Sequence, residues 1–121
     1  MTFADLIGVP YREHGRSKDD GFDCYGLVLE CCRRAGTPLV DLDYRSPSFS
    51  LSEADGMKAG INVRQVPGPK PGRIVEMDYN DKIHIGYLID YNNVLHTTER
   101  GARLSALAAL KVRGFYEVVS E

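Results

Sequence analysis

The sequence predicts an α+β domain in which helices from the N-terminal half pack on an antiparallel β-sheet from the C-terminal half. Helix-like patterns of apolar residues dominate before residue 61, and short segments with strand-like alternation follow one another after it. Such segregation of helices from strands is typical of α+β domains. The length of 121 residues fits a single domain spanning residues 1–121, which needs no disulfide or metal to fold.

The strongest helix pattern lies in the segment "DCYGLVLECCRRAG". Asp23 is a good N-cap, and Gly36 followed by Pro38 is a stop signal. The apolar stripe that recurs at helical spacing consists of Cys24, Leu27, Val28, Cys31 and Ala35. This pattern predicts a central helix with one face in the core.

Two weaker helices flank the central one. The segment "TFADLIG" predicts a short helix capped by Thr2 and ended by Gly8, and "LSEADGMKAG" predicts another that begins at Ser50 or Ser52. Glycines, prolines and charged residues predict loops over "VPYREHGRSKDDGF" and "TPLVDLDYRSPSFS".

The second half predicts a run of antiparallel strands. The candidate strands in chain order are "NVRQV", "RIVEM", "IHIGYLID", "NVLHTT" and "GFYEVVS". A rigid loop, "PGPKPG", separates the first two, and "DYND" predicts a turn. A hairpin turn is predicted at residues 91–93, and "SALAAL" forms at most one helical turn.

Charge and hydropathy argue against several classes of function. Fifteen basic and seventeen acidic residues give a net charge of −2, and no block of one sign indicates a nucleic-acid or polybasic membrane surface. The N-terminus lacks the basic and apolar regions of a secretory signal. No segment approaches the ~20 apolar residues of a membrane span. We therefore expect a protein made in the cytoplasm without a signal peptide.

The three cysteines are predicted to have different roles, because they lie at different positions on the central helix. Cys24 is predicted at the first turn, where unpaired backbone N–H groups carry partial positive charge and favour a thiolate. Cys31 and Cys32 are adjacent, and Cys31 lies about 10 Å from Cys24 along the helix, so no pair is suited to a disulfide. We interpret Cys24 as a nucleophile and the other two as packing residues. A buried, inert Cys24 is the open alternative.

Two histidines in consecutive candidate strands are suited to pair with that thiol. His84 alternates with Ile83 and Ile85, so it points away from their apolar face, beside Gly86. His96 lies in the next strand, and consecutive strands usually pair. We expect both histidines on one sheet face that packs against the cysteine helix, which supplies a thiol, an imidazole and a third polar group.

Other observations leave alternatives open. A tight turn at residues 92–93 would not place His96 on the same face as His84, so a wider loop, a bulge or strong coiling is required. Tyr11 is suited either to place its hydroxyl over the site or to use its ring for packing alone. His14 is interpreted as a solvated loop residue. A zinc site formed by one cysteine and two histidines lacks the paired spacing of structural sites.

Four motifs in order resemble the NlpC family of papain-like cysteine peptidases, which cut peptide stems of the bacterial cell wall. They are "IGVPY", "DCYGLV", "KPGRIVEM" and "HIGYLID" with "VLHTT" about a dozen positions on. The resemblance covers nearly the whole chain. It implies a papain-like NlpC-type fold with the nucleophile at the start of the central helix, and no metal or organic cofactor.

The resemblance implies a role for each matched residue. Cys24 matches the nucleophile, His84 the general base and His96 the polar residue that orients the base. Tyr11 matches a tyrosine that shapes the substrate pocket, and we expect Asp23 and Tyr25 to contribute to substrate binding with it. The implied reaction is hydrolysis of the bond between D-γ-glutamate and diaminopimelate, or one close to it, through a thioester.

Two departures from the family pattern bear on substrate and location. Tyr25 stands where many members have a serine that helps to hold the free amino end of the stem peptide. Arg73 stands where members usually have an aspartate directly after proline-glycine. An aromatic residue at position 25 resembles the small phage and prophage tail-assembly members, so we expect a phage tail protein as a partner and a virion location. The alternatives are a non-catalytic tail module and an amidase or acyltransferase that uses the same thiol.

Overall fold

The computed structural model describes residues 2–46 and 49–119. The two α-helices of these residues are α1 (Cys24–Arg34) and α2 (Leu51–Ala59). The strands are β1 (Arg16–Ser17), β2 (Gly21–Phe22), β3 (Val63–Val66), β4 (Ile74–Tyr79), β5 (Lys82–Leu88), β6 (Asn93–Thr98), β7 (Gly101–Ala106) and β8 (Lys111–Val118). The predicted α+β class with helices before the main sheet is confirmed.

Helix α1 forms where its sequence pattern predicts. The Asp23 side chain accepts the Gly26 backbone N–H at 2.8 Å, which satisfies a donor that has no partner inside the helix. The helix ends at Arg34, and Gly36 follows with a φ of +75° that suits glycine. The buried face is wider than the predicted stripe, because Tyr25, Gly26 and Cys32 are buried as well.

The weaker helix predictions hold in part. Residues Ala4–Leu6 form a 3₁₀ turn rather than an α-helix. Helix α2 begins after Ser50, whose side chain accepts the Glu53 N–H while Glu53 reaches back to the Ser50 N–H. The predicted loop over residues 9–22 contains the β1–β2 hairpin. In the irregular segment before α2, Pro47 and Ser48 lie outside the described residues.

Six strands form one antiparallel sheet in the order β3-β8-β4-β5-β6-β7. Strand β7 was not predicted, because "GARLSA" carries exposed Arg103 and Leu104 and lacks clean alternation. The predicted hairpin turn between β5 and β6 is wider than expected, since β5 ends at Leu88 and β6 begins at Asn93. The turn between β4 and β5 is tight, with positive φ at Asn80 and Asp81.

Apolar clusters cover both faces of this sheet. Tyr87 and Leu95 belong to the main core with Leu27 and Val28 of α1. A second apolar cluster lies on the other face of the sheet. It consists of Val75, Met77, Leu88 and Val94. Residues Leu107–Ala109 form a 3₁₀ turn, as "SALAAL" predicted, and Leu107 packs on this second cluster. Helix α1 therefore packs on the face that carries Tyr87 and Leu95.

Gly26 in α1 is required by a close crossing of the chain. A Cβ added there would lie 2.0 Å from the Gly15 carbonyl oxygen and 2.9 Å from Nη1 of Arg16. The loop before the hairpin thus runs directly over the first turn of α1. The glycine of "DCYGLV" is explained by this backbone contact.

We expect Gly26→Ala to lower the free energy of unfolding by at least about 1–3 kcal/mol, because the backbone of Gly15 must move to admit the methyl group. Gly56→Ala in α2 is the matched control, since a Cβ there has nothing within 4 Å. That control should stabilise the protein by about 0.4–1 kcal/mol. Urea unfolding of both variants measures the difference, and equal effects would contradict the close crossing.

Candidate active site

One open cleft, of about 430 Å³, brings Cys24 and His84 to the same place. It lies where the start of α1 meets the end of the sheet formed by the β4–β5 turn and the end of β6. Its lining residues are Tyr11, Cys24, Tyr79, Asn80, Lys82, Ile83, His84, Thr97, Thr98 and Glu99. The cleft therefore combines a thiol, an imidazole and two phenolic hydroxyls with one acidic and one basic side chain at its mouth.

Cys24 is the first residue of α1 and is only 3% exposed. It clusters with Phe49, Ala54 and Ile83, which form an apolar wall behind it. Burial raises the pKa of its thiol, and backbone hydrogen bonds from Ile85 and from the start of the helix oppose that rise. The helix start and the β5 backbone together hold this residue.

His84 and His96 share one face of the sheet, as predicted, but not the face predicted. Leu88 pairs with Val94, and steps of two residues from this pair place both histidines on the same face. His84 also pairs with Met77 of the second apolar cluster, so the histidines lie opposite the face on which α1 packs. The prediction that both histidines lie on the sheet face that packs against the cysteine helix is therefore wrong.

The cleft forms because β5 and β6 separate at the end of the sheet that carries the histidines. Their described pairing covers Tyr87 with Leu95 and Leu88 with Val94, and no further pair is present among the described residues. Gly86 lets His96 approach, because a Cβ on Gly86 would lie 3.1 Å from the His96 Cβ. A wide loop and a separated strand pair thus replace the tight hairpin that the sequence suggests.

The two imidazoles are in hydrogen-bond contact. Nε2 of His84 lies 3.1 Å from Nδ1 of His96, and both side chains are buried. Nε2 of His96 in turn lies 2.8 Å from Oγ of Ser105, and the His84 ring lies against Tyr79 with centroids 5.1 Å apart. Sequence reasoning missed Ser105 and Tyr79, because it assigned one to a helical turn and the other to a loop.

Burial favours the neutral forms of Cys24 and His84. Burial and then the Asp23 carboxylate raise the pKa of the Cys24 thiol to about 12, against the smaller effect of the backbone N–H groups. Burial and then the neighbouring His96 lower the pKa of His84. The sequence predicts that the helix start favours a thiolate. In the structure, desolvation of the sulfur outweighs the partial positive charge of the helix start, so the thiol is favoured.

Asp23 lies beside the nucleophile but contributes no exposed surface to the cleft. Its carboxylate is fully buried and accepts from the backbone N–H groups of Gly26 and His14, from Arg16 at 3.1 Å and from the Tyr44 hydroxyl. Arg16 also donates to the Tyr44 hydroxyl at 2.7 Å. In this conformation Asp23 organises the loop around α1, and its predicted contact with substrate remains a prediction.

The two predicted substrate-binding tyrosines occupy different places. Tyr11 lines the cleft, and burial together with the nearby Cys24 raises the pKa of its hydroxyl to about 12. Tyr25 is 2% exposed, and its hydroxyl donates to the Val40 carbonyl. Its ring lines a separate apolar cavity with Phe49 of the segment before α2. The structure brings Tyr11, and not Tyr25, to Cys24.

The remaining candidates lie apart from the cleft. Cys31 and Cys32 are fully buried in the main core, as predicted for packing residues. His14 is exposed and stacks on Tyr44 with ring centroids 4.9 Å apart. Within residues 2–46 and 49–119, no three His, Cys, Asp or Glu side chains are grouped to hold a metal ion, and no helix is long and apolar enough to cross a bilayer.

The architecture defines a class of α+β domain that presents a cysteine at a helix start beside a histidine from an antiparallel sheet. A sequence model of the NlpC/P60 family matches residues 8–116, so the chain belongs to the NlpC/P60 family. This family is generally one of cysteine peptidases. Arg73, Asp23 and Tyr25 all lie inside the matched range.

A solved structure has a similar fold. It is a protein described as similar to a lipoprotein of the NLP/P60 family, from Staphylococcus aureus subsp. aureus Mu50. The TM-score is 0.62 at 18% sequence identity, which shows a shared fold. The alignment covers 96% of this chain and 38% of that one. Comparison with curated protein sequences gives no match.

We expect alkylation of Cys24 by iodoacetamide to be slow at neutral pH and to rise continuously toward alkaline pH. A raised thiol pKa and a lowered imidazole pKa leave both groups neutral, so thiolate forms only as the pH increases. Peptide mass spectrometry measures the rate at Cys24, with Cys24→Ser as the control for reaction at Cys31 and Cys32. A fast, pH-independent rate on the acid side would instead show a preformed thiolate–imidazolium pair.

Proposed function

We propose that this protein is a cysteine peptidase that hydrolyses amide bonds in peptidoglycan stem peptides, with Cys24, His84 and His96 as its catalytic residues. One observation carries the proposal. Cys24 and His84 line a single open cleft, and Nε2 of His84 lies 3.1 Å from Nδ1 of His96. A nucleophile, a base and a group that orients the base are the parts that acyl transfer requires.

The first half of the reaction begins from a neutral thiol and a neutral imidazole. His84 takes the Cys24 proton as the sulfur attacks the amide carbonyl, and the carbonyl oxygen becomes an oxyanion. Backbone N–H groups at the start of α1, which carry the partial positive charge of a helix start, are suited to stabilise that charge. Collapse of the intermediate breaks the C–N bond, His84 gives its proton to the leaving amine, and a thioester on Cys24 remains.

The second half regenerates the enzyme. His84 takes a proton from water as the water oxygen attacks the thioester carbonyl, and the C–S bond breaks. The sulfur recovers the proton, and the product leaves as a carboxylic acid. His96 remains neutral throughout, because it holds the ring of His84 by a hydrogen bond and takes no proton from it.

The proposed substrate follows from the surroundings of Cys24. The bond between D-γ-glutamate and diaminopimelate, or one close to it, is the target that family membership favours. The carboxylate of Asp23 is saturated by hydrogen bonds, and Tyr25 is held by Val40. Neither is available to hold a free ammonium group, so we propose stem peptides whose amino end is still attached to the glycan.

We expect hydrolysis of intact muropeptides at least as fast as hydrolysis of the free stem peptide of the same sequence. The reason is that a free amino end finds no unpaired carboxylate beside Cys24. Mass spectrometry of the two digests gives kcat/KM for each substrate, and Glu99→Gln is the control for the exposed carboxylate at the cleft mouth. A strong preference for the free amino end would contradict this choice of substrate.

We further propose that the protein acts as a phage or prophage tail component that trims the cell wall. The support is the aromatic residue at position 25, by which the chain resembles small tail-assembly members of the family. Phage tail proteins are then its partners, and the virion is its site of action. Proteomic analysis of purified phage particles tests this, and consistent absence of the protein from particles would contradict it.

We expect Cys24→Ala to abolish peptidoglycan hydrolysis and His84→Ala to lower kcat by about 10²–10⁴-fold, the range for loss of a general base. His14→Asn is the matched control, because that histidine is exposed, lies outside the cleft and has a positive φ that asparagine tolerates. Mass spectrometry of digested peptidoglycan reports both the rate and the bond that is cut.

Each contrary outcome points to a named alternative. Hydrolysis that persists in Cys24→Ala would exclude the thiol mechanism. Wild-type protein that leaves peptidoglycan intact but cleaves simple acyl esters would indicate an amidase or acyltransferase. Wild-type protein with neither activity would indicate a non-catalytic tail-assembly module of the same fold.

A further inference from the structure

A serine of β7 continues the hydrogen-bonded chain that begins at His84. His96 uses both ring nitrogens: Nδ1 lies 3.1 Å from Nε2 of His84, and Nε2 lies 2.8 Å from Oγ of Ser105. We propose that Ser105 is a positioning residue that, through His96, selects the tautomer of His84 that can take a proton from Cys24. This inference rests on the proposed function for its consequence, but its structural content can be tested separately.

The position of Ser105 is fixed by the register of the edge strand. Strands β6 and β7 pair along their whole length, with Val94 opposite Ser105 and His96 opposite Arg103. Ser105 is therefore the diagonal neighbour of His96 on the same sheet face, a distance that an imidazole ring can span. The contact depends on a continuous ladder rather than on a loop.

The direction of the chain decides whether His84 can act as a base. His84 presents Nε2 to His96, so Nδ1 is the nitrogen that can exchange a proton with Cys24. That requires Nε2 of His84 to carry the hydrogen and Nδ1 of His96 to accept it. A neutral His96 then carries its own hydrogen on Nε2 and donates it to Ser105.

The opposite direction would leave the site without a base. If Ser105 donated to His96, Nδ1 of His96 would carry the hydrogen and donate it to His84. His84 would then carry its own hydrogen on Nδ1, which is the nitrogen needed to accept the proton of Cys24. Ser105 is half-buried, so its hydroxyl can donate to solvent while its oxygen accepts from His96.

The surroundings keep His96 neutral, as this arrangement requires. Burial and then the charge of Arg103, its cross-strand partner, lower the pKa of His96. A protonated His96 would have no lone pair on Nδ1 with which to accept from His84. A serine adds no negative charge that would favour the protonated form, as a carboxylate would.

The direct test is ¹⁵N NMR of the histidine rings, which distinguishes the two neutral tautomers. We expect both His84 and His96 of the wild type to carry hydrogen on Nε2. Ser105→Ala should increase the fraction of the Nδ1–H tautomer at both residues, and Ser105→Thr, which keeps the hydroxyl, should restore the wild-type spectrum. Leu104→Ala on the same strand is the control and should leave the tautomers unchanged.

Kinetics then link the tautomers to the reaction. We expect Ser105→Ala to lower kcat about tenfold with little change in KM, and Ser105→Thr to recover it. Wild-type His96 with hydrogen on Nδ1, unchanged tautomers in Ser105→Ala, or equal loss of activity in both variants would overturn the proposal. If the wild-type and variant proteins show the predicted tautomers but the wild type does not hydrolyse peptidoglycan, the selection by Ser105 is supported. Only the proposed function is then overturned.

Discussion

The buried carboxylate of Asp23 is the interaction on which the rest of the site depends. It accepts from Gly26 at the start of α1, from His14 and Arg16 in the preceding segment, and from Tyr44 in a more distant part of the chain. A buried charge is stable only when it is paired and hydrogen-bonded, and removing one partner from such a group typically costs about 3–5 kcal/mol. The position of the nucleophile is thus coupled to the closure of the loops around it.

The same burial has a chemical consequence. Removing Cys24 and His84 from solvent raises the thiol pKa and lowers the imidazole pKa, and Asp23 adds its negative charge on the side that disfavours a thiolate. A carboxylate that orders the helix start therefore also suppresses premature ionisation of the sulfur. Proton transfer within the cleft, rather than a standing ion pair, is the mode of activation that this arrangement favours.

The parts of the fold that could be predicted have strong local patterns. Helix α1 has a capping residue, an apolar stripe and a stop signal, and β5 and β6 alternate clearly. Strand β7 could not be predicted, because an edge strand with exposed Arg103 and Leu104 has little alternation. The face of the histidines was predicted wrongly, because it depends on which face of the sheet α1 covers, a long-range packing arrangement that no local pattern encodes.

The strength of the local sequence pattern differs between the residues proposed to react and the residues that orient them. The groups proposed to react, Cys24 and His84, belong to elements with strong local signals. The groups that orient them lie outside the two elements that carry the reacting groups. Arg16 and Tyr44 act on the helix start, and Ser105 acts on His96 from the strand that was not predicted. A hydroxyl or guanidinium can serve that purpose from many places in a chain, because only its final geometry matters. Residues that orient a site therefore become visible only when the sheet register is known.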